Sequence, residues 1–449
     1  MEKQRKLLGE EKIGKLLFKL SAPAMIGMFV MALYNLVDTI FVGHGVGVTG
    51  IAGIAIVFPI SMIVMSLAMM VGIGGSSIIS RRLGEARKEE AEKVLGNVIT
   101  MIFGLGIVLT ILGLIFIKPL LIAFGATESI LGPALEYGRI IIAGTLFFAT
   151  SMAANNVIRA EGNAKMAMFT MLIGAVLNTI LDPIFIFVFK LGLAGAAWAT
   201  IISQFVSFVY VLYYFASKTH SLLRIHFHNL KLQMYIVKEI LALGVASFVR
   251  MASGSAMSVV INHTLAVYGG DVAIATFGVI NRLLAFVLMP MFGIVQGMQP
   301  IVGFNYGAKN SDRVKQAISL SLKITTIMSL VAFVLLFIFA GIFMRVFSTD
   351  TELLALGTHA TRIIIIFFFT LGLQVVSAGM YQAMGRAWAS LIMSSLRQVI
   401  FLIPLVIILP FFFHLNGVWY AFPVADFSAF IVSWYMYKRE MILIEKHLA

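Results

Sequence analysis

The sequence predicts an all-α integral membrane protein of twelve transmembrane helices. Three observations support this prediction: the composition, the hydropathy and an internal repeat. The chain has 449 residues, of which 60% are hydrophobic and 12% charged, with mean hydropathy +1.00. Soluble proteins carry roughly 25% charged residues. There are no cysteines, which excludes disulfides and Cys-ligated metals. The net charge of +13 comes from small basic groups between apolar runs, so no nucleic-acid partner is expected.

Twelve apolar stretches are each long enough to cross roughly 30 Å of hydrocarbon as a helix. They cover residues 16–42, 51–76, 94–117, 134–158, 165–189, 193–216, 240–267, 272–300, 315–344, 356–384, 388–413 and 417–437. Short connections join them, apart from a longer basic segment in the middle of the chain. This pattern predicts a multi-pass protein whose immediate surroundings are the lipid bilayer.

Lysines and arginines lie mostly on one side of this predicted topology. Of the 33 basic residues, 25 fall in the N-terminal segment, the C-terminal segment and alternate connections. Three fall on the other side, and five arginines lie within apolar stretches. Because positive charge is retained on the cytoplasmic side, both termini are predicted to be cytoplasmic. The composition fits a prokaryotic plasma (inner) membrane.

The two halves of the chain resemble each other at a nearly constant offset. An offset of 223 aligns Arg139-Ile140-Ile141 with Arg362-Ile363-Ile364, and it aligns Glu161-Gly162 with Met384-Gly385. Six helices per repeat make both repeats start from the same side, as in transporters built from two parallel lobes. We therefore predict an N-terminal lobe at 1–216, a cytoplasmic linker at 217–239 and a C-terminal lobe at 240–449.

Two carboxylates lie deep inside apolar stretches, Asp38 in the first and Asp182 in the fifth. Ionisable groups in the membrane are costly and commonly mark ion or proton paths. Their counterparts in the second half are Ile261 and Leu405. The repeated fold therefore does not need both acids, which indicates a chemical task assigned to the first lobe.

Residue counting brings other oxygen-bearing side chains to the same depth as the acids. Asp38 and Asp182 lie roughly 8 and 12 Å from the outer ends of their helices. Asn178 and Tyr34 each precede an acid by four residues, so they share its helix face, and Thr200 reaches a similar depth on the returning helix. Oxygen ligands of this kind suit a hard cation such as Na⁺.

Two like charges in an apolar site also favour protonation of one carboxyl group, which would make the pair a proton carrier. The alternative interpretation is a buried hydrogen-bonded pair that only fixes helix packing.

The acid-bearing motifs resemble those of the multidrug and toxic compound extrusion (MATE) family, over essentially the whole chain. The similar segments are Leu33–Asp38, Ile158–Gly162, Leu177–Phe185 and Gly195–Thr200. The resemblance implies a twelve-helix, two-lobed MATE-type fold and a secondary active antiporter. Such a protein exports lipophilic or cationic drug-like compounds in exchange for protons or sodium by alternating access.

The resemblance also assigns roles to individual residues. Asp38, Asn178, Asp182 and Thr200 match the cation or proton site of the N-terminal lobe, and Ala196 matches a backbone carbonyl ligand there. Two more residues, Tyr34 and Asn155, match the supporting hydrogen-bond network. Pro23 matches the position where the first helix bends, which suggests a hinge because proline lacks an N–H group.

The second lobe lacks the acids that some family branches carry in the seventh, eighth or tenth helix. This favours the branch called DinF-like, which uses the first-lobe pair. The coupling ion, H⁺ or Na⁺, stays open, no cofactor is expected, and a monomer is expected.

Flexible, polarizable methionines suit cavities that accept many substrate shapes. The candidate cavity residues are Met62, Met65, Met69, Met257, Met289, Arg250 and Arg282. The arginines could orient or repel a substrate. Structural pairing of Arg250, Arg282 and Arg397 with Asp426 or with backbone carbonyls is the favoured interpretation.

Two other functions compete with drug export. A flippase for lipid-linked precursors or polysaccharides would share the lobes, and the five intramembrane arginines favour it. An enzyme is not expected, because the sequence shows no nucleophile motif, metal-ligand spacing or G-x-x-x-x-G-K-[ST] nucleotide loop.

Overall fold

The structure is a computed structural model that describes residues 2–217, 221–348 and 350–448. A short helix, Glu2–Glu10, precedes the membrane helices. The first six membrane helices are α1 Ile13–Gly45, α2 Val48–Gly84, α3 Lys88–Ala123, α4 Glu128–Ala143 with Thr145–Ala160, α5 Ala164–Pro183 continuing as Ile184–Val188, and α6 Gly192–Ala216. The next two, α7 and α8, form one run, Met234–Gly307, divided at Gly270. The last four are α9 Ser311–Phe347, α10 Thr351–Ile364 with Leu371–Ala383, α11 Ala387–Ile408 and α12 Pro410–Leu448.

The predicted count of twelve spans is confirmed. Nine helices in the described part of the chain are long and apolar enough to cross a membrane, and two bent pairs bring the number to 11. The bent pairs are α4, with a bend of 51°, and α10, with a bend of 45°. Gly270, with φ 62° and ψ −162°, interrupts the 74-residue run and makes the twelfth span.

Several helices extend beyond the predicted apolar stretches. The second stretch was expected at 51–76, whereas α2 runs from Val48 to Gly84 and carries Arg81 and Arg82 in its last turn. Hydropathy locates only the part of a helix that lies in hydrocarbon. The polar end of α2 is held by contacts with other segments, such as the 3.0 Å ion pair between Arg81 and Glu239.

The chain forms two compact units. One contains Ala22–Gly244 with Met1–Leu7, and the other contains Leu8–Ser21 with Val245–Ala449. The helices α1 and α7 are therefore each divided between the units, and the two points of division lie 223 residues apart. This is the offset of the sequence repeat.

The segment that joins the repeats packs on the N-terminal unit over its described part, from Ser221 onward. The buried carboxylate of Glu161 accepts hydrogen bonds from Tyr214 Oη at 2.8 Å, Ser221 Oγ at 2.8 Å and the Leu222 N–H group at 3.1 Å. Further along, Asn97 Oδ1 accepts from the Gln233 N–H group at 2.8 Å. These contacts hold the segment to the ends of α3, α4 and α6. The predicted linker 217–239 includes 218–220, which lie outside the described residues.

Glu161 lies in the turn between α4 and α5, beyond the membrane-spanning segments. Burial raises its pKa from 4.5 to about 7, although the hydrogen bonds it accepts act in the opposite direction. The folded protein therefore binds this proton more tightly than the unfolded chain does. Between about pH 4.5 and 7, stability falls as the pH rises, by up to about 3 kcal/mol for this one group.

Replacement of Glu161 by Gln should remove this part of the pH dependence. We expect the difference in thermal midpoint between Glu161→Gln and wild type to grow in favour of the variant from pH 5 to pH 8, measured in detergent. Glu128→Gln, at an exposed position on α4, is the matched control and should track wild type. A difference that is constant across this range would contradict the assignment.

The C-terminal unit contains a buried ion pair. Arg397, in a π-helical segment of α11, bonds through Nε to Asp426 on α12, and the Asp426 side chain is fully buried. Gln374 Nε2 on α10 donates to the Asp426 carbonyl at 3.2 Å. The predicted pairing is thus found for Arg397. It links three helices beside an apolar core that includes Trp419 and Phe368.

Breaking this pair on one side should be costly. Asp426→Ala leaves the Arg397 charge buried without its partner, and the expected loss of stability is about 3 kcal/mol. The double variant Arg397→Met with Asp426→Leu should lose less, because no unpaired charge remains. Thermal unfolding of the purified protein measures both, and an equal or larger loss in the double variant would contradict this account.

Candidate functional site

The two membrane acids of the first half meet in the N-terminal unit. Asp182 on α5 is fully buried and Asp38 on α1 is half-buried, and their carboxyl groups lie within hydrogen-bonding reach of each other. The Oδ1 atoms of both are buried and have no hydrogen-bond partner among the described residues. Ionised carboxylates only accept hydrogen bonds, so this contact requires a shared proton or a bound cation.

An amide and a hydroxyl complete one side of the pair. With its nitrogen facing Asp182, the Asn178 amide donates to Asp182 Oδ2 at 2.8 Å, and its oxygen accepts from the Thr200 N–H group at 3.1 Å. Thr200 Oγ1 donates to the Ala196 carbonyl at 2.9 Å. The hydrogen-bond network selects this amide orientation, because it satisfies both ends of the Asn178 side chain.

Two tyrosines lie on the other side of the pair. Tyr34, one turn before Asp38 on α1, is within hydrogen-bonding reach of Thr200. Tyr137, on the first half of α4, is close enough to Asp38, Tyr34 and Asp182 to interact electrostatically with all three. Tyr137 does not stand out in the sequence, because it lies between the charged residues Glu136 and Arg139 near the start of its apolar stretch.

Two glycines allow the helices that carry these residues to approach closely. A Cβ atom on Gly45 would lie 2.2 Å from the Ile186 side chain, and one on Gly195 would lie 2.9 Å from the Phe185 backbone. Both contacts involve the π-helical turn Ile184–Val188, which directly follows Asp182 and Pro183. The ends of α1 and α6 thereby pack against the end of α5 that bears the acid.

Asn155 is not among the residues that meet at the acids. Its amide donates to the Ala167 carbonyl at 2.6 Å and also to Thr170 Oγ1. Thr170 precedes Asp182 by 12 residues, which is roughly 18 Å along the helix. Asn155 joins α4 to α5 at that distance from the pair, and its expected supporting role stays a prediction.

Pro23 lies inside α1, which is helical throughout Ile13–Gly45. It is the second residue after the point where α1 passes from one unit to the other. A proline removes one backbone hydrogen bond at this position. Its hinge role stays a prediction.

The candidate cavity methionines differ in their surroundings. Met257 is buried in the core of the C-terminal unit. Met69 Sδ accepts from Asn156 Nδ2 at 3.8 Å, and Met62, Met65 and Met289 are half-buried.

The candidate cavity arginines lack carboxylate partners. The Arg250 guanidinium lies 5.7 Å from the centroid of the Phe292 ring, and Arg282 is exposed. Within the described residues, neither forms an ion pair or hydrogen bond, so the favoured structural pairing is not found for these two.

The oxygen atoms around the pair suit a proton or a hard, weakly held cation. The oxygen atoms that could bind a cation belong to the two carboxylates, the Thr200 hydroxyl, the Ala196 carbonyl and the Tyr34 phenol. They are ligands of the kind Na⁺ takes. Across the described ranges, no group of three or more His, Cys, Asp or Glu residues could hold a metal ion. With only two carboxylates, this set does not resemble a site for a transition metal.

Comparison with known proteins agrees with a membrane transporter of two repeats. The profile of the MatE family matches residues 23–184 and 246–408, two segments that begin 223 residues apart. The chain therefore belongs to the MATE family, which includes multidrug efflux transporters.

The chain is similar over nearly its whole length to several relatives. It is 26% identical to the multidrug export protein MepA of Staphylococcus haemolyticus, over 97% of this chain and 96% of MepA. It is 28% identical to an FAD transporter of Shewanella oneidensis, over 97% of each chain. A solved outward-facing multidrug resistance MATE transporter matches with a TM-score of 0.92 and 28% identity, over 99% of each chain.

The contact between Asn178 and Asp182 can be tested without removing either acid. Asn178→Leu keeps a similar volume but removes the donor to the carboxylate. We expect dye efflux to fall about tenfold, because a tenfold change corresponds in free energy to the loss of one hydrogen bond to a charged group. Thr179→Val is the matched control, because its hydroxyl bonds only within α5, to the Ala175 carbonyl at 2.9 Å. Equal efflux in both variants would contradict the assignment.

Proposed function

We propose that this protein is a secondary active multidrug exporter that moves lipophilic or cationic drug-like compounds against an inward flow of protons or sodium ions. The observation that carries the proposal is the contact between the Asp38 and Asp182 carboxyl groups, each with an orphaned buried oxygen. Multidrug export by relatives such as MepA supports the substrate class.

The coupling step follows from the chemistry of the pair. When neither a proton nor a cation is bound, two carboxylates in an apolar site repel each other, and this opposes their contact. Binding of H⁺ or Na⁺ removes the repulsion and favours the closed arrangement of α1 against α5. The ion thus shifts a conformational equilibrium by its different affinity for the two arrangements.

α1 is suited to transmit this change. Its residues from Ala22 onward belong to the unit that holds the acids, and Leu8–Ser21 belong to the other unit. In the proposed mechanism, a rearrangement of α1 near Pro23 accompanies ion binding and releases the drug. The two lobes alternate between outward and inward access, and the DinF-like branch assignment follows from the first-lobe pair.

We propose the same membrane setting that the sequence predicts, a prokaryotic plasma membrane with both termini cytoplasmic and the protein acting as a monomer. The Lys and Arg asymmetry supports the orientation. Since the chain has no cysteines, single cysteines placed near each end can be labelled without a background. A flippase for lipid-linked precursors remains the second candidate, favoured by Arg250 and Arg282, which have no carboxylate partner among the described residues.

Ethidium efflux from cells that express the wild type, Asp38→Asn and Asp182→Asn tests the proposal. The wild type should export, and each variant should lose about tenfold or more, because an amide cannot bind the coupling ion as a carboxylate does. Asp312→Asn, at an exposed position in the first turn of α9, is the matched control and should export normally.

Collapsing the proton and sodium gradients separately identifies the ion, because only one treatment should abolish wild-type efflux. Efflux retained in both acid variants would overturn the coupling site. A wild type that exports no dye at all would overturn drug export and direct the next test to lipid-linked substrates.

A further inference from the structure

The helices α7 and α8 of the C-terminal unit expose polar side chains within the membrane-spanning part of the unit. On α7 the exposed polar residues are Ser255, Asn262 and His263, and on α8 they are Asn281 and Arg282. On α7 they are seven and eight residues apart and share one face with exposed alanines and with Val259 and Val267, and on α8 the two polar residues are adjacent. Residues 12 positions from the Gly270 turn lie about 18 Å from it, so Arg282 is near the middle of a 30 Å hydrocarbon layer.

The exposed residues of α9 in the same unit show what a lipid-facing surface of this protein is made of. Its large exposed side chains include Ile327, Leu330, Val334 and Ile338. A polar face at the same depth is costly against hydrocarbon and is stable against water or a polar ligand. The exposed polar groups of α7 and α8, above all the charged Arg282, are therefore expected to face water or a polar ligand.

The face formed by these groups, the α7–α8 face, carries positive charge without nearby compensation. Of the three acids in α12, Asp426 is fully buried and bonded to Arg397, while Glu440 and Glu445 pair with Arg386 and Lys315. Asp271, the closest acid along α8, precedes Arg282 by 11 residues, which is roughly 16 Å. In the described part of the chain, Arg282 and Arg250 have neither an ion pair nor a hydrogen bond.

The same face offers aromatic contacts beside the charges. Phe286, one turn from Arg282 on α8, is 46% exposed. Arg250 lies over the Phe292 ring, which holds its guanidinium against α8. A guanidinium forms strong paired hydrogen bonds with carboxylate or phosphate groups, and an exposed ring favours a flat apolar partner.

We propose that the α7–α8 face of the C-terminal unit binds the anionic group of an amphiphilic aromatic substrate, with Arg282 as its direct contact and Arg250 as a second charge. This rests on the proposed function and adds a preference within its substrate class, for cationic compounds that also carry a negative group.

A pair of dyes that differ in one charge tests the inference. Rhodamine B carries a free carboxylate, and its ethyl ester carries none but is otherwise the same aromatic cation. Binding of both to the purified full-length protein is measured by fluorescence polarization. We expect Arg282→Gln to reduce the preference for the acid over the ester about tenfold, the value of one charge-assisted hydrogen bond, with ester affinity unchanged.

Two further arginine variants serve as controls for the binding measurement. Arg282→Lys keeps the charge and should retain part of the preference. Arg362→Gln removes another membrane arginine of the same unit, whose Nε already donates to the Phe337 carbonyl at 3.2 Å, and it should leave the preference unchanged. Comparing each variant with wild type cancels the different partition of the two dyes into detergent.

The outcomes separate this inference from the proposed function. If the ester binds and neither Arg282→Gln nor Arg250→Gln alters the acid-to-ester ratio, the anion site is wrong while drug binding stands. If neither dye binds the wild type, both the anion site and the drug-export proposal fall. A tenfold change in Arg282→Gln that is absent in Arg362→Gln supports the anion site.

Discussion

Much of the N-terminal unit depends on the requirement that two carboxyl groups touch in an apolar environment. The contact between Asp38 and Asp182 is stable only with a proton or cation present, so the helices around it must supply oxygen atoms and exclude water. Asn178 and Thr200 meet this requirement from α5 and α6, and Tyr34 and Tyr137 meet it from α1 and α4. The close packing at Gly45 and Gly195 brings the ends of α1 and α6 against the end of α5 that bears Asp182.

The C-terminal unit repeats the architecture without this requirement. At the positions equivalent to the acids, Ile261 is fully buried and Leu405 packs against the apolar core. Its internal charge, Asp426, is neutralised by Arg397 within the unit and needs no external ion. Duplication preserved helix packing, whereas the chemistry diverged, which is why one half carries an ion-responsive pair and the other presents arginines.

The compact units do not follow the order of the chain at their boundaries. Leu8–Ser21 belongs with the C-terminal unit, while the segment before Val245 belongs with the N-terminal one. The segment before Val245 stays with the N-terminal unit because the buried side chains of Glu161 and Asn97 accept hydrogen bonds from its backbone. Leu8–Ser21 belongs with the C-terminal unit through contacts such as that of Arg313. Its guanidinium donates to the Leu8 and Glu11 carbonyls at 3.1 and 2.8 Å.

The sequence by itself determined the class of protein, the twelve spans, the repeat and the two helices that carry the acids, because hydropathy and residue spacing are properties of single segments of the chain. It also located Asn178, Thr200 and Tyr34, which follow from helical spacing and from resemblance to a known family. Only the tertiary structure decided which side chains meet. It added Tyr137, placed Asn155 far from the acids, and separated the paired Arg397 from Arg250 and Arg282. Such outcomes depend on how helices pack against one another, and the periodicity of a single helix carries no information about its partners.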